Sequence, residues 1–275
     1  MPERTDIQIA AALLSIACLI LLALLAGWIA PHDPAEVRKD SRLRPPCWEY
    51  PLGTDHLGRC ILSRLLFGIR TSLAISLTVV LLSAAIGLAL GGIAGYLGGL
   101  IDEAIMRLAD ALLAFPSIFL ALAVIGFLGA GITNLIISLV LVQWTGYARL
   151  VRSIVLSLKG RVFLEAALGM GASEMYILSR HILPNLLPLV MVTATLELGF
   201  TILNVAALSF LGIGVQPPTP EWGSMMNDAR PYIRIAPHMM TFPGIAITMT
   251  VLAFNLLGEG LRERLDPRSP STEHL

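Results

Sequence analysis

The sequence opens with an apolar run, residues 7–30, that contains no charged residue. A helix needs roughly 20 apolar residues to cross the hydrocarbon core of a bilayer, so this run is long enough to span a membrane. A cleaved signal peptide is the alternative, but its apolar core is only about 7–15 residues long and follows positive charge. Here Glu3, Arg4 and Asp6 precede the run. We therefore predict a retained transmembrane helix.

Further apolar runs follow, and with the first they predict six transmembrane helices. The expected bounds of the others are 71–97, 104–128, 132–149, 186–211 and 242–261. The composition agrees, since 56% of the residues are hydrophobic and 14% are charged, whereas soluble domains carry about 45–50% and 25%. We expect an all-α integral membrane protein, because these runs leave no room for a large soluble domain.

Several classes of function are excluded by what the sequence lacks. The net charge is zero, so no basic field is available to attract nucleic acid. A Walker A motif needs a lysine directly after a glycine, and the two lysines, Lys39 and Lys159, follow an arginine and a leucine. We therefore expect no P-loop nucleotide site and no cofactor on this chain. The three cysteines are too scattered for a zinc module, although Cys47 and Cys60 could pair.

The stretch from residue 57 to residue 69 has apolar side chains at helical spacing, interrupted by arginines. The apolar positions are Leu57, Ile61, Leu62, Leu65, Leu66 and Ile69. This pattern predicts an amphipathic helix. Such a helix lies in the membrane interface or packs against the bundle, and the sequence does not choose between these.

A longer connection, residues 162–185, lies between the fourth and fifth predicted helices and carries a specific motif. Its members are Glu165, Ala166, Ala167, Gly171, Leu183 and Pro184. This spacing resembles the EAA loop of ABC importer permeases. The resemblance implies a type I permease fold in which these residues form a cytoplasmic coupling helix that docks on an ATPase subunit. Gly171 would permit close approach or a turn.

Other segments extend the resemblance over most of the chain. Residues 52–59, 207–212, 218–223 and 253–258 resemble the dipeptide, oligopeptide and nickel branch of these permeases, and most closely its nickel-type C permeases. Two positions depart from the usual pattern. Leu168 stands where relatives commonly carry a basic residue, and Cys60 stands where the branch usually carries an aspartate.

The resemblance also implies an organisation and a set of partners. We expect an N-terminal helix with a periplasmic segment (1–70), a type I transmembrane domain (71–262) and a cytoplasmic tail (263–275). Both termini would face the cytoplasm of a bacterial inner membrane, although lysines and arginines are too evenly divided between the two sides to decide the orientation. The partners would be a second homologous permease, two ATP-binding subunits that hold ATP and Mg²⁺, and a periplasmic or lipid-anchored binding protein.

The cargo that the sequence favours is nickel or a nickel chelate, with dipeptides or oligopeptides as the alternative. The short region before the first helix, residues 144–153 and the tail around His274 all resemble nickel-type C permeases. A secondary transporter or channel is the rival class. It would carry ionisable residues near the middle of its spans, and Glu197 is the one clear acid deep in a predicted helix.

A few residues outside the motif are candidates for a role in transport. Glu197 is a candidate for the translocation path, where it would suit a cation; alternatively it pairs with a polar group such as Asn204 or one of a partner permease. The proline-rich segment 212–241 is a candidate docking or gate surface, through Glu221, Trp222 and Asp228. His56 and His238 are candidate metal ligands, although isolated histidines at a membrane interface more often serve packing.

Overall fold

The computed structural model of the chain describes residues 2–161, 170–171 and 173–265, and it is all-helical within those ranges. The long helices are α1 (Pro2–Ile29), α2 (Ile61–Leu97), α3 (Gly99–Leu113), α4 (Ser117–Leu128) and α5 (Ile132–Lys159). A short helix, α6 (Glu174–Ile177), continues through a π-helical turn (Leu178–Ile182) into α7 (Leu183–Phe210). Two more helices follow, α8 (Trp222–Ala229) and α9 (His238–Leu265).

Five of these helices are long and apolar enough to cross a membrane, or six spans if a bent pair counts as one. The bent pair is α3 and α4, whose axes differ by 90°. The single helix predicted over residues 104–128 is therefore wrong. The cause is Pro116, which precedes α4 and has no N–H to donate to the preceding turn. Proline also disfavours helical backbone at the residue before it, Phe115.

The amphipathic stretch before residue 70 forms the first turns of α2, and it is not a separate helix in the membrane interface. α2 begins at Ile61 and continues without a break to Leu97. Ile61, Leu66 and Ile69 are buried in the main hydrophobic cluster. The packed alternative is thus the correct one, and the predicted boundary at residue 70 falls inside a helix.

Small residues bring α2 and α5 into backbone contact. A Cβ added to Gly87 would lie 2.2 Å from Cβ of Tyr147, and one added to Gly91 would lie 2.3 Å from the carbonyl oxygen of Ala148. Without a hydrophobic driving force between helices in lipid, such close packing is a main source of helix association. The α2–α5 pair is therefore the rigid centre of the bundle, with α3 and α4 on one side of it.

Of the remaining helices, α7 packs against α2 and α9, and α1 packs against both α9 and α2. Gly258 of α9 lies against Leu196 of α7, and Gly260 lies against Ile9 of α1. Arg264 donates to the Asp6 carboxylate, which joins the last turn of α9 to the first turns of α1. The bundle has two ends, which we name after the short helices that they carry, the α6 end and the α8 end.

Candidate functional site

The predicted coupling loop begins where α5 ends, and residues 162–169 and 172 of it lie outside the described residues. Glu165, Ala166 and Ala167 lie in the part of the loop that is not described. Gly171 is described, is exposed and has a φ of +86°, so the backbone turns there in a conformation that favours glycine. Pro184 is the second residue of α7 and follows the π-helical turn directly.

Apolar packing ties the α6 segment to α5. Ile177 and Ile182 are buried with Val151 and Val155 of α5 in one cluster, which also contains Leu186 of α7. At the same end, the Arg152 guanidinium donates to both carboxylate oxygens of Asp102, over 2.5 and 2.6 Å. The α6 segment is therefore packed against both α5 and α7, and α5 is tied to α3 at the same end.

At the α8 end, Glu221 caps helix α8. Its carboxylate accepts from the backbone N–H groups of Gly223 and Ser224, at 2.9 and 2.8 Å, and from the Ser72 hydroxyl of α2 at 3.3 Å. The side chain is 0% exposed. Burial raises the pKa of Glu221, and the two backbone N–H donors oppose that rise.

The neighbouring Trp222 is equally buried, at 1% exposed, and its indole N–H donates to the Leu65 carbonyl oxygen at 3.2 Å. The structure therefore places Glu221 and Trp222 inside the chain, where they fix α8 against α2. Neither side chain offers a surface to another protein. Any docking or gating role for them would act through the position of α8.

A buried ion-pair network joins Asp228 of α8 to the segment before α2. Arg59 donates to Asp55 over 2.5 Å and to Asp228 over 2.8 Å, while Arg64 lies 3.7 and 3.8 Å from the same two carboxylates. Asp55 also accepts the backbone N–H groups of Leu57 and Arg59. The network holds residues 55–59 on the bundle. Of its members, the sequence analysis proposed a role in transport only for Asp228 and gave Asp55 and Arg59 only as part of the family-like segment 52–59.

The two histidines proposed as metal ligands lie close to this network, but not together. His56 offers a nitrogen within 4.8 Å of carboxylate oxygens of Asp55 and Asp228, and this is the one such group of possible metal ligands among the described residues. Nε2 of His238 instead lies 3.4 Å from the Thr54 carbonyl oxygen. Both carboxylates of the group already face the guanidinium of Arg59, whose charge opposes a second cation.

Glu197 lies at the middle of α7, on the side that faces α5. Thr201, one turn further on, has its hydroxyl 3.1 Å from Oε1 of Gln143 in α5. Tyr147 of α5 lies within electrostatic reach of the Glu197 carboxylate. The contacts of the described residues therefore connect this region to Gln143 and Tyr147, and none of them joins Glu197 to Asn204.

The sequence analysis missed Gln143 and Tyr147, although a signal was present. Both helices carry two polar side chains four residues apart, which places each pair on one helical face. Polar residues at that spacing inside a membrane span face the protein interior rather than lipid. The fold determines that the polar faces of α5 and α7 meet, and the sequence pattern of either helix alone does not predict this contact.

A bundle of membrane-crossing helices with polar side chains at mid-depth is typical of a membrane transport protein. The chain belongs to the family of binding-protein-dependent transport system inner membrane components, whose model matches residues 87–269. It is thus a multi-pass inner-membrane permease subunit of an ABC importer.

Individual relatives and a solved structure agree with that assignment. The chain is 46% identical to the nickel transport system permease protein NikC of Escherichia coli K12, over 96% of this chain and 95% of that protein. It is 49% identical to the glutathione transport system permease protein GsiD of E. coli O157:H7, over 97% and 88%. A chain of the inward-facing MetNI methionine ABC transporter has the same fold, with a TM-score of 0.53 and 21% identity over 70% of this chain and 94% of that one.

Proposed function

We propose that this permease subunit forms half of the translocation pathway for nickel or a nickel chelate. The observation that carries the proposal is its similarity to the nickel permease NikC, which extends over nearly the whole of both chains. Glu197 adds support, because a carboxylate at mid-membrane is costly unless it serves a positively charged group. No histidine, lysine or arginine pairs with it among the described residues.

A peptide-type cargo is the second candidate, and a specific observation favours it. GsiD, named as a glutathione permease, is as similar to this chain as NikC is, at 49% identity. Glutathione is a small peptide-like molecule, so its permease belongs with the dipeptide and oligopeptide alternative. Both cargoes use the same fold, and the identities differ by too little to rank them.

We infer the following partners and orientation. A second homologous permease would complete the pathway, two ATP-binding subunits would hold ATP and Mg²⁺, and a periplasmic or lipid-anchored protein would deliver the cargo. Residues 162–185 would dock on an ATPase subunit, which places the α6 end and both termini in the cytoplasm. The α8 end, with the Asp55–Arg59–Asp228 network, would then face the binding protein.

In this arrangement, movement of the ATPase subunits would be transmitted to the transmembrane helices through the coupling loops. Closure of an ATPase dimer would draw two coupling loops together, and each loop is continuous with its own α5 and α7. Since Ile177 and Ile182 are packed into the α5–α7 cluster, the loop and these helices would move as a unit. The opening at the α6 end would close, and the opening at the α8 end would widen.

The experiment that tests the cargo is uptake of radioactive nickel at nanomolar concentration by cells with and without this gene. Growth on a dipeptide as the required nutrient is scored in parallel. Loss of nickel uptake alone supports the nickel proposal. Loss of dipeptide use with normal nickel uptake contradicts it and supports the second candidate. A transporter with wild-type permease supplied in trans controls for effects on neighbouring genes.

A further inference from the structure

Four polar side chains meet halfway through the bundle, between α5 and α7. We call Gln143, Tyr147, Glu197 and Thr201 the mid-span cluster. Glu197 is 14 residues from the start of α7 and 13 from its end, so it lies roughly 20 Å along the helix from either end. Polar groups at this depth have no access to bulk water unless a pathway supplies it.

The two helices present these side chains in matching register. α5 and α7 run in opposite directions, from the α8 end and from the α6 end respectively. Gln143 and Tyr147 are four residues apart on α5, as Glu197 and Thr201 are on α7. The contact of Thr201 with Gln143 therefore brings Glu197 level with Tyr147, which is where the structure has it.

The cluster contains hydrogen-bonding capacity that nothing in the described residues uses. Tyr147 is 1% exposed, and its hydroxyl has no hydrogen-bond partner. The Gln143 amide also has one buried atom without a partner. Leaving such groups unpaired costs about 1–3 kcal/mol each. Native proteins keep few of them, and those few commonly mark a functional site or an absent ligand.

The unpaired amide atom of Gln143 is best assigned as its carbonyl oxygen. The Thr201 hydroxyl carries one hydrogen and lies 2.7 Å from the backbone oxygen of Glu197, to which it donates. That hydroxyl can then accept from the Gln143 –NH₂ group but cannot also donate to Oε1. Turning the amide by 180° satisfies both bonds, and oxygen and nitrogen positions in amides are assigned rather than observed.

The cluster then offers three oxygen atoms of suitable chemistry: the Glu197 carboxylate, the Gln143 carbonyl oxygen and the Tyr147 hydroxyl oxygen. One of them belongs to an ionisable acid, and none of the ion pairs among the described residues includes it. Three acceptors match the three N–H donors of a primary ammonium, and they match the water shell of a hydrated divalent cation equally well.

The cluster also has an open side. Glu197 is partly exposed, and Phe200, less than one turn further along α7, is 48% exposed. An ionised carboxylate is not tolerated against lipid tails. The open side of Glu197 must therefore face a partner subunit or a water-filled path, which is the position that a cargo would pass.

We propose that the mid-span cluster is a cation subsite of the translocation pathway, which receives the positively charged part of the cargo through Glu197, Gln143 and Tyr147. The proposal rests on the importer function proposed above and deepens it. The two candidate cargoes share the chemistry that this subsite would bind, a positive charge surrounded by hydrogen-bond donors. In one cargo this is a hydrated nickel ion, and in the other it is the ammonium group of a peptide.

The test uses the complete transporter in cells that lack the chromosomal copy of this gene. Uptake of radioactive nickel and of a labelled dipeptide is measured for the wild type, Glu197→Gln, Glu197→Asp and Tyr147→Phe. We expect Glu197→Gln to lower uptake of the cationic cargo about tenfold, because a charge-assisted contact is lost, and Glu197→Asp to retain more uptake than Glu197→Gln.

Tyr147→Phe separates a binding role from a structural one. The substitution removes only an unpartnered hydroxyl, so a structural role predicts unchanged uptake and equal or higher thermal stability of the purified complex. A binding role predicts uptake lowered by about threefold or more, with stability unchanged or raised. Thr193→Val is the matched control, since its hydroxyl bonds only the Leu189 carbonyl of its own helix.

The outcomes separate the two proposals. Wild-type uptake in both Glu197→Gln and Tyr147→Phe, with normal amounts of assembled complex, overturns the cation subsite. If the wild type takes up the dipeptide and not nickel, the nickel proposal fails. The subsite is then judged by the same variants with the dipeptide, where about a tenfold loss in Glu197→Gln supports it.

Discussion

Nη2 of Arg59 lies 2.8 Å from Oδ2 of Asp228, although the two residues are 169 positions apart in the chain. Arg59 precedes α2 and Asp228 lies in α8, so this contact links the two segments that cover the α8 end of the bundle. With Asp55 on its other side, the Arg59 guanidinium is 3% exposed and fully paired.

Removing the charge of Arg59 should destabilise the protein more than removing an exposed one. Arg59→Met leaves Asp55 and Asp228 facing each other, with only Arg64 at 3.7–3.8 Å to compensate. We expect the free energy of unfolding to fall by about 3 kcal/mol, which is the low end of the range for a broken buried ion pair, because Asp228 is 20% exposed. Thermal unfolding of the purified complex measures this loss.

The control is Arg107→Met, since Arg107 also pairs with an acid, Glu103, but the two side chains are 77% and 53% exposed. Pairs of that kind contribute little to stability, and we expect an unchanged unfolding temperature. Equal unfolding temperatures for Arg59→Met and the wild type would show that the network is dispensable for the fold.

Two adjacent glycines of α2 provide a second test, of how closely α2 and α5 must approach. A methyl group at Gly91 would lie 2.3 Å from the Ala148 carbonyl oxygen, whereas one at Gly92 meets no atom within 4 Å. Gly91→Ala should therefore destabilise the bundle by about 1–3 kcal/mol through overpacking. Gly92→Ala should be neutral or add up to about 1 kcal/mol through helix propensity.

The readout for the glycine pair is thermal unfolding together with the amount of folded protein in the membrane. The two variants differ by one position and have identical chemistry, so hydropathy and insertion are matched. Similar stability of both would mean that α5 can shift to make room, and that the α2–α5 contact is not rigid.

The helices of this fold were largely predictable, because long apolar runs have few alternatives to a membrane span. The errors came where hydropathy carries no information. Apolar content is continuous across Pro116, yet the chain turns through 90° there. The start of α2 at Ile61 was hidden because its first turns are amphipathic, which is also the pattern of an interfacial helix.

The candidate site was predictable in part, and for a similar reason. An acid inside a span, Glu197, is conspicuous in any hydropathy analysis, but its neighbours Gln143 and Tyr147 depend on which helices meet. Glu221 was expected on a surface because acids in loops are normally solvated. The structure buries it, since two backbone N–H groups of α8 replace water around its carboxylate.

Reversing the charge of Glu165 tests the coupling role of the EAA motif. Glu165→Arg should abolish uptake of the cargo while the permease is inserted in normal amounts. The reason is that the substitution replaces the negative charge in the expected contact with the ATPase by a larger, positively charged side chain. Glu263→Arg is the control, since Glu263 is an exposed acid whose partner is the Thr5 hydroxyl. Normal uptake in Glu165→Arg cells would contradict a coupling role for this residue.

The buried carboxylate of Glu221 should make stability depend on pH. Burial raises its pKa above the ordinary value of 4.5, so the folded state binds a proton more tightly than the unfolded state does. The contribution of this group is therefore greatest below pH 4.5 and is lost as pH rises through the folded-state pKa. Unfolding temperatures of the wild type and Glu221→Gln, measured from acidic to neutral pH, should diverge in favour of the variant as pH rises.

Glu221→Gln is suited to this comparison because it carries no charge, and its amide oxygen can still accept one of the two backbone N–H groups, which bond different oxygens of the wild-type carboxylate. Glu221→Ala removes the cap itself, so it should be less stable than Glu221→Gln by about 1 kcal/mol at every pH, because neither variant titrates at this position. The other titrating groups are common to the wild type and Glu221→Gln, so their effects cancel in the difference. A difference that does not change with pH would mean that Glu221 has the same pKa in the folded and unfolded chains.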